Sequence, residues 1–410
     1  MSSTLSLYLT TMRQGTMKKV LQLGFPIGLI ALSTASFNAN ADIRFNGFAS
    51  IVAGQTLSDN ESYLGYDNDL SFKNESIFAL QAMGDLGDGL SATAQIVAQG
   101  NENFDTKFSW AYISYEASDY TTVRAGRLRI PFYLYSDYLD VGYAYPWVRP
   151  AGAMYSLPFN NYDGVSVVHN KLIGEWDFSF NFMFGELSDT FFKTTSPTEG
   201  SLNNMYGLAT SFSREWFSGY FTYISGEINI PVAGIESFAS LAQALGASQS
   251  AADELRIDGD TGTFIGAGFN IDYENWSIIA EYSESNTDDS ILQEADKGGY
   301  ISLGYRVNEK TMPFVMFETF ETPANSSIAA AMPGTVIPAL GTAYDGIPVN
   351  IAAQAIVDST NRDEYTATSV GVRYNFHPSA AFKVQYTTLD DDYNDAWDSD
   401  SIAFAVDVVF

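Results

Sequence analysis

The last ten residues of the chain, Ser401 to Phe410, read SIAFAVDVVF. Every second side chain in this segment is apolar, and small or polar side chains mostly stand between: the apolar set is Ile402, Phe404, Val406, Val408 and Phe410. A period of two is typical of a β-strand with two unlike faces. Because a soluble sandwich also contains such strands, the fold depends on whether the rest of the chain repeats the pattern.

The repeat is present along the chain from Asp42 onward. Alternating segments of about ten residues, the length of a membrane-crossing strand, recur at residues 43–51, 90–99, 176–184, 301–307 and 382–387. One of them carries an aromatic side chain at every second position, from Trp176 to Phe184. Five aromatic side chains in a row would aggregate in water, so this face must meet lipid or another sheet.

The connections between these segments alternate in length. Seven short ones fall at residues 84–89, 117–119, 170–174, 214–216, 273–275, 307–310 and 376–380. Long polar ones lie between them at 56–69, 130–161, 187–203, 230–258, 286–297, 323–363 and 389–398, with one short outer turn near 100–106. This alternation predicts an all-β fold, a transmembrane antiparallel barrel of about 16 strands (16–18) with long outer loops and both termini on the periplasmic side.

The N-terminal segment has the pattern of an export signal. Lys18 and Lys19 precede an apolar stretch over residues 20–32, and Ala39-Asn40-Ala41 is a small-residue cleavage site. We therefore expect residues 1–41 to be a signal peptide and residues 42–410 to be the barrel domain. Met17 is the better start, so residues 1–16 are expected to be a mis-started extension. Export of a barrel predicts the outer membrane of a Gram-negative bacterium.

Charge and composition exclude several classes of protein. The chain has no cysteine, which excludes disulfides, thiolate metal sites and cysteine nucleophiles. Of the 20 basic residues three precede Ala41 and all 49 acidic residues follow it, so the mature chain carries 17 − 49 = −32. Such a field repels phosphate backbones and argues against nucleic acid as a partner, whereas it favours cations.

The outer connections carry two further patterns. Residues 234–255 have apolar side chains at helical spacing and are expected to cap the barrel rim or to fold over its mouth. Six aspartates between Asp390 and Asp400 lack the glycine and the final glutamate of an EF-hand loop, so no specific metal site is predicted. They are expected to form a solvated face that attracts cations and bridges to lipopolysaccharide through divalent ions.

Four segments resemble the Gram-negative porins, and the resemblance extends over residues 42–410. They are DIRFNGFASIVAG (42–54), VRAGRLRIPFYLYSDYLDVGYAYPWV (123–148), LPFNNYDGVSV (157–167) and the terminal Phe410. The resemblance implies that the third outer loop, residues 130–161, folds into the lumen and sets acidic side chains against a basic wall. It also implies a homotrimer, and a signal for the barrel-assembly machinery formed by Phe404, Val406, Val408 and Phe410. Because the run GRLRIPF also resembles substrate-selective porins, general and selective diffusion both stay open.

The expected pore constriction follows from the alternation and from this resemblance. We expect Leu128 and Ile130 to face lipid, so Arg127 and Arg129 are expected to face the lumen, whereas Arg124 is expected at the periplasmic rim. The other expected residues of the constriction are the acidic Asp137 and Asp140 and the basic Arg149 and Arg44. Opposed acidic and basic rows create a transverse field that screens ions by charge. The alternative is that the two arginines form ordinary salt bridges at a loop.

An enzyme is the competing class. An outer-membrane hydrolase of the omptin or phospholipase kind needs a histidine with a carboxylate or serine near the outer rim. The only histidines, His169 and His377, fall beside short periplasmic turns. We therefore expect no catalytic residues, no cofactor and no plug domain, but a channel for passive diffusion of ions and small hydrophilic solutes that prefers cations.

Overall fold

A computed structural model of the chain describes residues 42–59, 61–155, 157, 159–192, 198–288, 296–322, 327–360, 363–392 and 397–410. Within these residues sixteen strands form one closed antiparallel barrel, in which each strand pairs with the next and β1 pairs with β16. The predicted barrel and its strand number are confirmed. The predicted signal peptide, residues 1–41, lies outside the described residues.

The strand bounds follow the alternating segments of the sequence. They are β1 Asp42–Thr56, β2 Ile77–Gly87, β3 Leu90–Gln99, β4 Thr106–Ser118, β5 Thr121–Arg129, β6 Asn161–Ile173, β7 Trp176–Phe192, β8 Thr198–Arg214, β9 Phe217–Asn229, β10 Asp258–Tyr273, β11 Trp276–Thr287, β12 Asp296–Tyr305, β13 Thr311–Thr322, β14 Asp363–His377, β15 Ala380–Asp391 and β16 Ser399–Val409. The seven predicted short turns lie between these strands at one end of the barrel, and the longer connections lie at the other.

Exposure distinguishes the two faces of the wall. On β7, Phe182 and Phe184 are 51% and 61% exposed, whereas Met183 between them is buried. On β16, Ala403 and Asp407 are buried, whereas Val406 is exposed. The exposed set forms the outer wall and the buried set faces the lumen, as the alternation requires.

The barrel closes at a seam between its first and last strands. The backbone of Gly47 donates to and accepts from that of Phe410 at 2.8 and 2.9 Å. The Phe410 ring lies so close to Gly47 that a Cβ at this position would overlap it. Closure leaves no strand edge unpaired, which a lipid environment requires.

The described residues of two outer connections form four α-helices. They are α1 Ala233–Ala244, α2 Gln249–Asp253, α3 Ser327–Ala331 and α4 Val349–Thr360. Phe238 of α1 meets Tyr344, which precedes α4, edge to face at 5.6 Å between ring centroids. We call residues 230–257 and 327–360 the helical cap. Among the described residues, no helix is both long and apolar enough to cross a membrane.

Candidate functional site

The described residues of the third outer connection, 130–155, 157, 159 and 160, lie inside the barrel. We call this connection L3. It hydrogen-bonds to side chains that point inward from strands far from its own ends: the Trp147 indole donates to Ser302 of β12 at 2.8 Å, and the Val148 amide donates to Gln385 of β15 at 2.9 Å. Ser302 and Gln385 are buried on the lumen side of the wall, so these bonds hold L3 against the inner wall.

Glu281 of β11 is the most densely bonded of these wall residues. Its carboxylate accepts from the backbone amide of Leu134 at 2.9 Å, and from the hydroxyls of Tyr220 and Tyr300 at 2.7 and 2.6 Å. It also accepts from the hydroxyl of Tyr155. A buried carboxylate is costly unless its oxygens are satisfied. Two of the four donors, the Leu134 amide and the Tyr155 hydroxyl, belong to L3, so Glu281 holds the loop at both residues.

A buried ion pair holds the middle of L3. The ammonium of Lys383 lies 2.8 Å from the carboxylate of Asp407, and both side chains are almost fully buried. The same ammonium donates to the carbonyls of Gly142 and Trp147 at 2.5 and 2.6 Å. Lys383 therefore ties L3 to the wall of β15 and β16.

Gly142 permits this close approach. A Cβ at Gly142 would overlap the carboxylate of Asp407 and would lie 2.6 Å from the hydroxyl of Ser50. Ser50 is on β1 and Asp407 on β16, so L3 touches the wall directly at the seam.

The opposite side of L3 is held by apolar packing. Phe132 meets Phe264 of β10 edge to face at 4.6 Å, and both belong to one buried cluster with Leu128, Met183 and Ile224. The last three come from β5, β7 and β9 and point into the lumen. Here the lumen wall is apolar because a loop, and not water, covers it.

Arg129 and Asp140, both predicted at the constriction, form an ion pair inside the barrel. The guanidinium of Arg129 also donates to the hydroxyl of Ser109 at 2.9 Å and to the carbonyl of Ser136 at 3.2 Å. The pair therefore links the end of β5 to L3, and its two charges compensate each other.

Arg149, also predicted at the constriction, joins L3 to the first outer connection. Its guanidinium donates to both carboxylate oxygens of Glu75 at 2.8 and 2.7 Å and stacks over the rings of Tyr63 and Tyr66 at 5.1 and 5.9 Å. Burial alone would lower the pKa of Arg149, but Glu75 together with Tyr63 and Tyr66 outweighs burial, and the pKa is raised. Burial also raises the pKa of Tyr63 to about 12.

The predicted inward position of Arg127 is wrong. Arg127 binds Asp163 through two hydrogen bonds of 2.9 and 2.7 Å, on the outer face that also carries Val165, which is 43% exposed. Leu128 points into the lumen and is buried in the cluster around L3. The prediction assumed that the apolar residue of each pair faces lipid, and this fails where L3 fills the lumen.

Arg44 and Asp137 lie at different heights along the barrel axis. Arg44 is exposed on β1, before the first residue that pairs with β16, which is Phe48. It lies about 20 Å along the strand from Ser50, at the periplasmic rim. Asp137 of L3 is exposed to the lumen. The surrounding protein raises the pKa of Asp137, whereas the charges of Arg124 and Arg129 counteract that rise.

Arg124 is on the lumen side of β5, three residues after the strand begins at a short turn, so its position agrees with the expected rim. It alternates with Ala125, which is exposed on the outer wall, and its guanidinium lies 5.8 Å from the ring centroid of Tyr112. The positive charge of Arg124 on the wall counteracts the rise in the pKa of Asp137 on L3.

A polar cavity of about 210 Å³ lies between L3 and strands β1–β3. Its neutral polar lining includes Ser50, Ser76 and Gln99. The apolar Val52 and Ile77 also line it, and the charged side chains are Asp140 and the Arg149–Glu75 pair. The cavity is a gap between L3 and the wall, and polar side chains of both line it.

A sequence model of the Gram-negative porins matches residues 28–325. The chain belongs to the Gram-negative porin family. Its location is therefore the outer membrane of a Gram-negative bacterium. No curated protein matches the sequence of this porin significantly.

Solved porin structures share its fold at low sequence identity. OmpF of Salmonella typhi, solved with daunomycin, is 13% identical with a TM-score of 0.54 over 91% of this chain and 99% of that one. The channel DcaP of Acinetobacter baumannii is 12% identical with a TM-score of 0.54 over 91% and 98%. The anion-selective porin of Comamonas acidovorans is 12% identical with a TM-score of 0.53 over 90% and 100%.

Sequence reasoning missed the wall residues that hold L3 in this porin. Glu281, Glu318, Lys383 and Asp407 all lie at lumen-facing positions of strands, and Glu318 accepts from the Ala153 amide of L3 at 3.2 Å. The available signal was an ionisable residue within a membrane-crossing strand, which is rare unless it has a role inside the protein.

Proposed function

We propose that this porin forms a water-filled channel for passive diffusion of ions and small hydrophilic solutes. The observation that carries the proposal is L3, which is fixed across a closed 16-stranded barrel and leaves a polar cavity against β1–β3. A barrel of this strand number is wide enough for an aqueous channel. A loop bonded on several sides narrows that channel at a defined place.

We propose a modest preference for cations. The expected mature chain carries −32, which raises the concentration of cations near both mouths. Inside, the Arg129–Asp140 and Arg149–Glu75 pairs compensate their own charges. Asp137 and Arg124 remain in contact with water, so they are the charges that a passing ion meets at L3.

Planar-bilayer recording in a salt gradient tests both statements. We expect stable conductance steps and a reversal potential of the sign for cations. Asp137→Asn should weaken the preference, and Arg124→Gln should strengthen it. Asp88→Asn, at an exposed periplasmic turn, is the matched control and should change neither. A protein without conductance would refute the channel, and anion preference would refute the charge argument alone.

A channel without catalytic chemistry fits the placement of the two histidines. His169 contacts the hydroxyl of Thr121 at 2.9 Å, and His377 accepts from the backbone amide of Ser379 at 3.1 Å. Both lie at the turn ends of their strands. An outer-membrane hydrolase would instead need a histidine and its partners in the outer half of the barrel.

We also propose a homotrimer that forms through the outer wall of β2–β4. Ala82, Ala94 and Ala111 lie side by side across these strands. Larger apolar side chains flank this row on the same strands, among them Leu80 and Ile113. Small side chains let another barrel approach closely. Ala94→Trp should reduce the trimer fraction in mass-resolved chromatography, whereas an unchanged trimer would exclude this face.

For biogenesis we propose export by cleavage after Ala41 and recognition of the last strand by the barrel-assembly machinery. Phe410 is 70% exposed on the outer face, in line with Phe404, Val406 and Val408. Deletion of Phe410 should reduce the amount of protein in the outer membrane more than the conductance of the molecules that insert. Normal outer-membrane levels would contradict this.

In the membrane, the outer wall contacts lipid, and the acidic loop around Asp390–Asp392 would meet lipopolysaccharide through divalent ions. Among the described residues, no group of three or more acidic or histidine side chains is arranged to hold a metal ion.

A further inference from the structure

Three basic side chains gather at the periplasmic end of the barrel. Arg306, Lys310 and Arg373 line one cavity of about 280 Å³. Its roof is formed by L3, through Tyr135, Ala144 and Pro146. Basic residues are scarce, since the expected mature chain has 17 against 49 acidic ones. The convergence of three on one cavity therefore calls for a physical reason.

The charge of this cavity is not balanced by its own carboxylates. Arg306 binds Asp272 through two hydrogen bonds of 2.6 and 2.8 Å, and Glu309 is the other acidic residue of the lining. Within the described part of the chain, neither Lys310 nor Arg373 has a carboxylate within ion-pair distance. Three cations against two anions leave a local positive excess in a strongly acidic chain.

A second feature adds to this excess. Arg373 of β14 lies directly opposite Lys383 of β15 in the strand register. Like charges opposite each other destabilise a sheet. Lys383 is paired with Asp407. Among the described residues, the guanidinium of Arg373 donates to two neutral acceptors, the Tyr145 carbonyl at 2.9 Å and the Asn375 side chain at 2.8 Å, and it lies 4.7 Å from the ring centroid of Tyr143. An anion in the cavity would therefore meet a guanidinium that, among the described residues, has no carboxylate within ion-pair distance.

We propose that this cavity is a binding subsite for small solutes that carry a carboxylate group. The inference rests on the proposed channel, which supplies the route to the cavity. A guanidinium and a flexible ammonium are suited to bind a carboxylate, and the amides of Asn270, Asn308 and Asn375 can bond its other polar groups. The subsite would hold an anionic solute just below L3, where the rest of the chain repels it.

Succinate tests the subsite, by conductance in planar bilayers and by calorimetric titration of the purified full-length protein. Succinate on the periplasmic side is expected to block the channel in a saturable manner. Lys310→Gln should raise the half-blocking concentration about fivefold, the loss expected for one partly exposed charge contact. Arg306→Gln should raise it as well. Lys171→Gln, at another exposed position near a periplasmic turn, is the matched control and should leave it unchanged.

The outcomes separate the two proposals. Conductance without succinate block or binding overturns the subsite and leaves the channel standing. Block or binding that is unchanged in both Lys310→Gln and Arg306→Gln also overturns it. If the protein has no conductance, calorimetric binding that Lys310→Gln weakens would support the subsite while refuting the channel.

Discussion

L3 is held differently on its two sides. Towards β5–β10 it packs against apolar side chains such as Met183, Ile224 and Phe264, which point into the lumen. Towards β11–β16 it is bonded to buried polar groups, above all Glu281 and Lys383. Apolar packing is non-directional and fills space, whereas hydrogen bonds fix position. The difference suggests that the apolar side seals one half of the lumen and the polar side sets where the loop stops.

The largest effect is expected from breaking the polar side at its ion pair. Lys383→Met leaves the buried carboxylate of Asp407 without its partner and should cost about 4 kcal/mol in the free energy of unfolding. Denaturant titration of the protein in lipid vesicles measures this. The double variant Lys383→Met/Asp407→Asn should recover much of the loss, and Lys171→Met serves as the control. A single variant as stable as the parent would contradict the anchoring role.

On the apolar side, Phe264→Ala should cost about 3 kcal/mol, because it leaves a cavity against Phe132. The neighbouring outward residue Ile265 gives a control, since Ile265→Ala opens no cavity beneath L3. We expect the conductance of Phe264→Ala to rise or fluctuate as the seal on this side loosens. Equal losses for the two variants in the same titration would mean that Phe264 does not support L3.

A milder change sharpens the polar side. Glu281→Gln keeps the size of the side chain but replaces an acceptor oxygen by a donor, so at least one of its four bonds is lost at about 2 kcal/mol. Single-channel recordings should show more frequent fluctuations of the open level, because Leu134 and Tyr155 are less firmly held. Glu284→Gln, three residues along the same strand, is the control and should behave as the parent. If the open level of Glu281→Gln fluctuates no more than that of the parent, Glu281 does not hold L3.

The smallest effect is expected at Arg127. Its ion pair with Asp163 is largely exposed on the outer face, so Arg127→Gln should cost about 0.5 kcal/mol. Its reversal potential should equal that of the parent, in contrast with Arg124→Gln. A clear shift in the reversal potential would place Arg127 in the pathway after all.

Most of the barrel could be predicted from the sequence, because the period of two and the alternation of turn and loop lengths are local signals. Strand number, the short turns and the outward aromatic face of β7 all followed from them. The inward path of L3 did not follow from these signals and was expected only from the porin resemblance. Its partners, such as Glu281 for Leu134, are too far away in sequence for any local pattern to indicate them.

The error at Arg127 has a definite cause. Alternation indicates which residues share a face, but it does not say which face meets lipid. Leu128 and Arg127 were assigned by polarity, and polarity misleads wherever protein replaces water inside the barrel. Arg124, which is out of phase with Arg127, is a residue of this strand that faces the lumen.

The close contact at Gly142 carries a consequence for assembly. Its neighbours Ser50 and Asp407 come from the first and the last strand, so the contact exists only after the two ends of the chain have met. Contacts of such high sequence separation form late, because the loop-closure entropy must be overcome first. Docking of L3 would then complete after ring closure, and a half-finished barrel would keep its lumen open until its last strand arrives.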